Sequence, residues 1–185
     1  MPRFRLAFVL VGLVGLLAAG ALVLALFQSP TASALAVHNG AGETLSASRV
    51  VGQYTGSDLN GDVISFVFTA PDYATEVARG PHGALKGKRS VEGTTALGVL
   101  EPVRLLLSMT TFRQEGSRYI GTIPLTDILP ASERGLVSGS YDATAHITTG
   151  FVVALVVDID ATEAGHHLSE RIRYRFEDVG SWERG

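Results

Sequence analysis

The chain has no cysteine. That excludes disulfides, thiolate nucleophiles and thiolate metal ligands. It also excludes attachment of a lipid to a cysteine just after an export signal. Exported domains often use disulfides, so this one must depend on its core. A basic excess is lacking too. Lys+Arg is 15 against Asp+Glu 18, a net charge of −3. Nucleic acid is therefore not the expected partner, because phosphate binding needs a basic face. No acid precedes Glu43, and Arg3 and Arg5 lie ahead of everything else that is charged. There is no internal repeat and no low-complexity tail.

What is present begins with Leu6 to Phe27, 22 consecutive apolar or glycine residues. At helical rise this run is roughly 33 Å long, enough for a bilayer core. It has no polar face, which argues against a helix of a soluble core. Arg3 and Arg5 should stay in the cytoplasm and the remainder should face outward. Residues 1–30 are expected to be a signal peptide or a signal-anchor transmembrane helix. The length favours a single-pass anchor. The small residues after Pro30 also allow cleavage near Ala34 or Ala36 and secretion. Residues 31–185 should form one extracytoplasmic β-rich domain, the right size for a single core.

Leu35 to Ser48 has loosely helical apolar spacing, weakened by Gly40 and Gly42. Most later segments have strand patterns. Arg49 to Thr55 and Asp62 to Ala70 flank the turn signal Asn60-Gly61. Tyr73 to Arg79 follows the Pro71-Asp72 break. Gly80 to Gly93 is expected to be a mobile loop, given Gly80-Pro81, Gly83 and the basic run Lys86-Gly87-Lys88-Arg89. Thr95 to Met109 should be helical, started or kinked at Pro102, and either buried or facing a cavity because it is apolar on more than one side. A hairpin turns at Glu115-Gly116, and Leu125 to Arg134 connects as a short helix or loop.

The last three strands alternate strictly. Tyr141, Ala143, Ala145 and Ile147 share one face. Phe151, Val153, Leu155, Val157 and Ile159 share the next. Ile172, Tyr174 and Phe176 alternate with Arg171, Arg173 and Arg175. Turns at Thr148-Thr149-Gly150 and Glu163-Ala164-Gly165 make them an antiparallel meander. The expected fold is mainly β (α+β). It is a single curved antiparallel sheet, a half-barrel, with one or two helices on its concave apolar face.

Chemistry is hard to find. Ser138-Gly139-Ser140-Tyr141 does not match the Gly-x-Ser-x-Gly elbow of a serine hydrolase and enters a strand. Asp58-Leu59-Asn60-Gly61-Asp62 hints at calcium, but Val63 and Thr69 stand where an EF-hand needs glycine and glutamate. His166-His167 lies near Asp158, Asp160 and Glu163, yet adjacent strand residues point to opposite faces. No catalytic residue, metal ligand or cofactor is expected, and the chain is not expected to be an enzyme. Arg171, Arg173 and Arg175 should pair with cross-strand acids. The run at Lys86 suits a solvated loop, or contact with anionic headgroups.

The apolar inventory is the main clue. The sheet and the segment Leu97 to Leu107 provide two apolar walls. Packed together they make an ordinary core, which composition favours. Held apart they make a pocket for acyl chains. The candidate lining is Phe66, Phe68, Leu100, Val103, Leu106, Leu155, Ile172, Tyr174 and Phe176.

The order of motifs resembles a known family. Ala36-Val37-His38-Asn39 opens the helix. Phe66 leads to Ala70-Pro71-Asp72. Thr111-Phe112-Arg113-Gln114-Glu115-Gly116-Ser117-Arg118-Tyr119 precedes Ile123-Pro124-Leu125. Gly150-Phe151-Val152-Val153-Ala154-Leu155 follows, and Tyr174-Arg175-Phe176-Glu177-Asp178-Val179-Gly180 closes the domain. Together these resemble the LolA-like lipid carriers, in particular the LprG/LppX type of actinobacterial cell-envelope lipoprotein, over roughly residues 35–181. The resemblance implies a half-barrel over helices, a cavity for a lipid or acylated glycolipid, carriage between membrane layers, and no catalysis. Two features depart from it. There is no cysteine for lipidation, and Gly80 to Gly93 does not align with a family helix. The rival reading is a structural or protein-interaction domain with a filled core. It would dock another envelope protein through a sheet edge or the region of Lys86.

Overall fold

The computed structural model describes residues 31–69 and 72–180. The expected signal or anchor segment, residues 1–30, lies outside them. Among the described residues no helix is long and apolar enough to cross a membrane.

The domain opens with helix α1, Ala32–Ser46. Thr31 caps it, its hydroxyl accepting from Ala34 N at 3.2 Å and so satisfying one of the orphan donors of the first turn. The buried stripe Ala34, Val37, Gly40, Ala41 and Thr44 follows helical spacing. Its small residues allow a close approach to the sheet. Gly40, which weakens the helix as a sequence, is where a Cβ would meet Ile147 at 3.2 Å.

Nine strands follow: β1 Arg49–Gly56, β2 Val63–Thr69, β3 Tyr73–Arg79, β4 Leu85–Glu92, β5 Arg113–Glu115, β6 Arg118–Pro124, β7 Val137–Thr148, β8 Phe151–Glu163 and β9 His166–Gly180. They form one sheet in the order β4-β3-β2-β1-β9-β8-β7-β6-β5. Every pairing is antiparallel. The sheet does not close, so β4 and β5 are its edges. The expected fold class holds.

The two-residue turns explain the meander. Thr149 and Gly150 have φ of 52° and 83°, and Ala164 and Gly165 have 48° and 82°. Both central residues are left-handed, the geometry that matches strand twist in a tight hairpin.

The segment Gly80 to Gly93 corrects the expectation of a mobile loop. Leu85–Glu92 is strand β4, paired with β3 along its length. Only Val91 in it is even half-buried. A strand with no dry face carries no hydrophobic alternation, so its sequence resembles a loop.

A second correction concerns β8. The pairing of β7 with β8 jumps from His146↔Ala154 to Ile147↔Val152. Val153 is the extra residue of this bulge, and beyond it the inward parity reverses. Val152 is thus fully buried, while Phe151 and Val153 are half-buried. α1 completes the bulge. The Thr44 hydroxyl accepts from Val152 N at 3.0 Å and donates to Gly40 O at 2.8 Å.

The helical cover is broken rather than continuous. α2 Thr94–Leu97 and α3 Glu101–Leu105 alternate with single 3-10 turns, Gly98–Leu100 and Leu106–Ser108. Pro102 sits in the first turn of α3, where its missing N–H costs nothing. The segment first touches β3 and β4, then β8 and α1. His38 on α1 ties down its end, with Nε2 donating to Met109 O at 2.8 Å. A short helix α4, Leu125–Ile128, closes the far side against β6 and β7.

Candidate ligand site on the covered face of the sheet

Strand register sets which residues share the covered face. From β1 outward the rows are Val50–Phe68–Ala74, then Gly52–Phe66–Glu76, then Tyr54–Ile64–Ala78. Across to β9 and β8, Tyr54 continues to Tyr174, Leu155 and Ala145. Exposure rises along these rows. Val50, Phe68 and Ala74 are at most 3 % exposed. Phe66 is at 1 % and Glu76 at 5 %. Tyr54, Ile64, Ala78, Ile172 and Tyr174 are half-buried. The covered face is therefore dry at one end of β1 and half-open at the other.

All nine candidate lining residues lie on this face or its helical cover. Phe66, Phe68, Leu100, Val103, Leu106, Leu155 and Phe176 are at most 6 % exposed and belong to one core cluster. Ile172 and Tyr174 lie at the half-open end. Four aromatic rings bridge the two zones. Tyr54 lies 5.2 Å from Tyr174 and 6.3 Å from Phe66, Phe66 meets Phe176 edge-on at 6.1 Å, and Tyr174 stacks on Phe176 at 6.3 Å. Gly52 makes room for this cluster, because a Cβ there would meet the Phe66 ring at 2.8 Å and Arg175 O at 2.6 Å.

Sequence reasoning missed the polar groups among these apolar walls. Glu76 faces inward and takes Arg89 on one oxygen and the Tyr54 hydroxyl, at 3.1 Å, on the other. Glu101, in the helical cover, is 3 % exposed, and Tyr141, on β7, is 2 % exposed. Burial raises the Glu101 carboxyl above the usual range, with Arg104 opposing. Burial also pushes the Tyr141 phenol well up, with Tyr174 and Glu101 adding to it. The Tyr174 phenol is raised by burial first, then by Tyr54, Glu170 and Glu76. The one signal in the sequence was a carboxylate inside the apolar segment Leu97 to Leu107.

The other candidates are structural. Asp62 binds Lys86 Nζ at 2.6 and 2.7 Å. His167 Nε2 contacts Asp160 at 3.2 Å on an exposed face. No group of three or more His, Cys, Asp or Glu able to hold a metal ion occurs among the described residues. Arg171 pairs with Asp158 through Nε and Nη2, the expected cross-strand match.

The architecture defines a class: an open antiparallel sheet laid over a short helical layer. A known structure shares it. The crystal structure of the Mycobacterium tuberculosis lipoprotein LppX aligns with 82 % of this chain and 97 % of its own, with a TM-score of 0.50 and 15 % identity. LprF from Mycobacterium bovis aligns with 83 % of this chain and 95 % of its own, with a TM-score of 0.48 and 12 % identity. No protein-family model and no curated protein matches the sequence. The resemblance to the LprG/LppX type is thus borne out as a shared fold.

Proposed function

We propose that this chain is an extracytoplasmic lipid-binding protein of the cell envelope, held at the membrane by its N-terminal segment or released by cleavage. It takes the acyl chains of a lipid or acylated glycolipid between the covered face and the helical layer. It carries that lipid without catalysing a reaction. The observation that supports this is the gradient of exposure from Val50–Phe68–Ala74 to Tyr54–Ile64–Ala78. An apolar interior with a half-open aromatic end is suited to a chain that enters tail first. Apolar burial supplies the affinity, about 0.8 kcal/mol per CH₂. The fold shared with a lipoprotein agrees with this reading.

The test is native mass spectrometry of the full-length chain, produced in an exporting host and released from detergent micelles, alongside organic extraction. The expected result is acyl lipid at near one per chain. An empty, folded protein that takes up no added lipid would refute the proposal.

One observation favours the rival reading. Strand β4 is an unpaired edge, exposed at nearly every residue and carrying Lys86, Lys88 and Arg89. Such an edge can take a strand from a protein partner. A stoichiometric protein partner, lost when β4 is altered, with no lipid in the purified domain, would favour docking.

A further inference from the structure

Two buried polar atoms of the interior have no hydrogen-bond partner among the described residues, Glu101 Oε1 and the Tyr141 hydroxyl. Buried polar groups are nearly always paired, and an unpaired one costs free energy. Two within one interior need a reason. Neither is a surface accident. Glu101 follows the buried Leu100 and begins α3, and its other oxygen is 3.8 Å from Arg104 Nε, too far for a hydrogen bond. Tyr141 stands on β7 in register with Ile123 of β6 and Ile159 of β8, all inward. α3, which Glu101 begins, packs against β8, and β8 pairs with β7 at Ile159↔Tyr141, so both groups face the same interior.

We propose that Glu101 Oε1 and the Tyr141 hydroxyl form a buried polar subsite that takes the ester or hydroxyl group of an uncharged acyl lipid. The inference rests on the lipid-binding reading and names the chemistry that reading leaves open. Glu101 Oε1 accepts from a lipid hydroxyl, and the Tyr141 phenol donates to an ester carbonyl. A free carboxylate or phosphate does not suit the site, because a buried anion needs a paired cation and Glu101 already stands nearest Arg104. The acyl chains then occupy the apolar zone around Leu100 and Val103, both at most 2 % exposed.

The test uses the full-length protein and two defined probes, dioleoylglycerol and squalene. One carries esters and a hydroxyl, and the other is hydrocarbon alone. Tyr141→Phe and Glu101→Leu each remove one polar group and keep most of the volume. Each is expected to weaken dioleoylglycerol about tenfold, the worth of one buried hydrogen bond. Squalene should bind each variant as it binds the wild type, and neither variant should melt earlier. If both variants hold dioleoylglycerol as tightly as the wild type, the subsite is wrong and lipid binding stands. An equal loss for both probes would mean a packing defect and would also overturn the subsite. A wild type that binds neither probe would overturn the subsite together with the lipid reading.

Discussion

Tyr54 on β1 reaches past β2 to donate its hydroxyl to Glu76 on β3 at 3.1 Å. Glu76 is 5 % exposed, and its other oxygen is held by Arg89, whose side chain is 61 % exposed. A buried carboxylate thus depends on an arginine from an edge strand. Arg89→Ala should lower unfolding free energy by about 1–2 kcal/mol, less than for a fully buried pair because the guanidinium is wet. Adding Glu76→Gln should recover part of the loss, since the uncompensated charge is then gone. Urea melts of both variants decide this. An unchanged midpoint for Arg89→Ala would show that Tyr54 and water suffice.

A charge should block lipid uptake where the covered face is half-open. Leu106 is fully buried beneath the helical cover, so Leu106→Asp tests folding before it tests binding. Even Leu106→Ala should cost about 2–5 kcal/mol through its cavity. Ile172 is half-buried on the same face and can carry a charge with its head in water. Ile172→Asp should fold and should lose co-purified lipid by at least about tenfold. Circular dichroism with lipid extraction checks both halves. Full lipid occupancy in a folded Ile172→Asp would move the entrance away from β9.

Strands were legible where one face is dry. Ile172, Tyr174 and Phe176 alternate with arginines, and the strand follows that pattern. β4 was hidden because it is exposed everywhere but at Val91, so Lys86, Gly87 and Lys88 form no alternation. The Val153 bulge was hidden for the opposite reason. Val152, Val153 and Ala154 are all apolar, so a shift of parity leaves no trace in the sequence. In the candidate site the apolar lining could be nominated because each residue sits on an inward parity or in an apolar helix. Its polar members could not. Glu76 and Glu101 are buried only because strands and turns distant in sequence close over them.

Glu101 should make stability depend on pH in a definite direction. Its folded-state carboxyl is raised by burial above its unfolded value. The folded state therefore holds the proton more tightly. That contribution is full below the unfolded value and is lost as pH rises through the folded one. Glu101→Gln mimics the neutral form at every pH. The variant should match the wild type near pH 4 and be the more stable above the carboxylate range. Denaturant melts of the pair at several pH values test this. A difference constant with pH would mean that Glu101 titrates normally in the fold.

Gly139 fixes where β7 lies on β8, two residues before Tyr141. Its φ is +139°, which side-chain-bearing residues rarely adopt. A Cβ built there would stand 1.9 Å from Asp160 O and 2.9 Å from Ala161 Cα, both backbone atoms of the facing strand. Backbone cannot swing aside as a flexible side chain can, so the pairing Gly139↔Ala161 has to open. Gly139→Ala should therefore cost about 3 kcal/mol or more, combining backbone strain with overpacking. Gly42 supplies the contrast. It lies inside α1 with nothing within 4 Å of the added Cβ. Gly42→Ala should stabilise the domain by about 0.5–1 kcal/mol through helix propensity. Urea melts of the two variants give opposite signs if the register of β7 is right. A mild effect of Gly139→Ala, under about 1 kcal/mol, would mean that the strand pair relaxes there and that Tyr141 is not held in place by it.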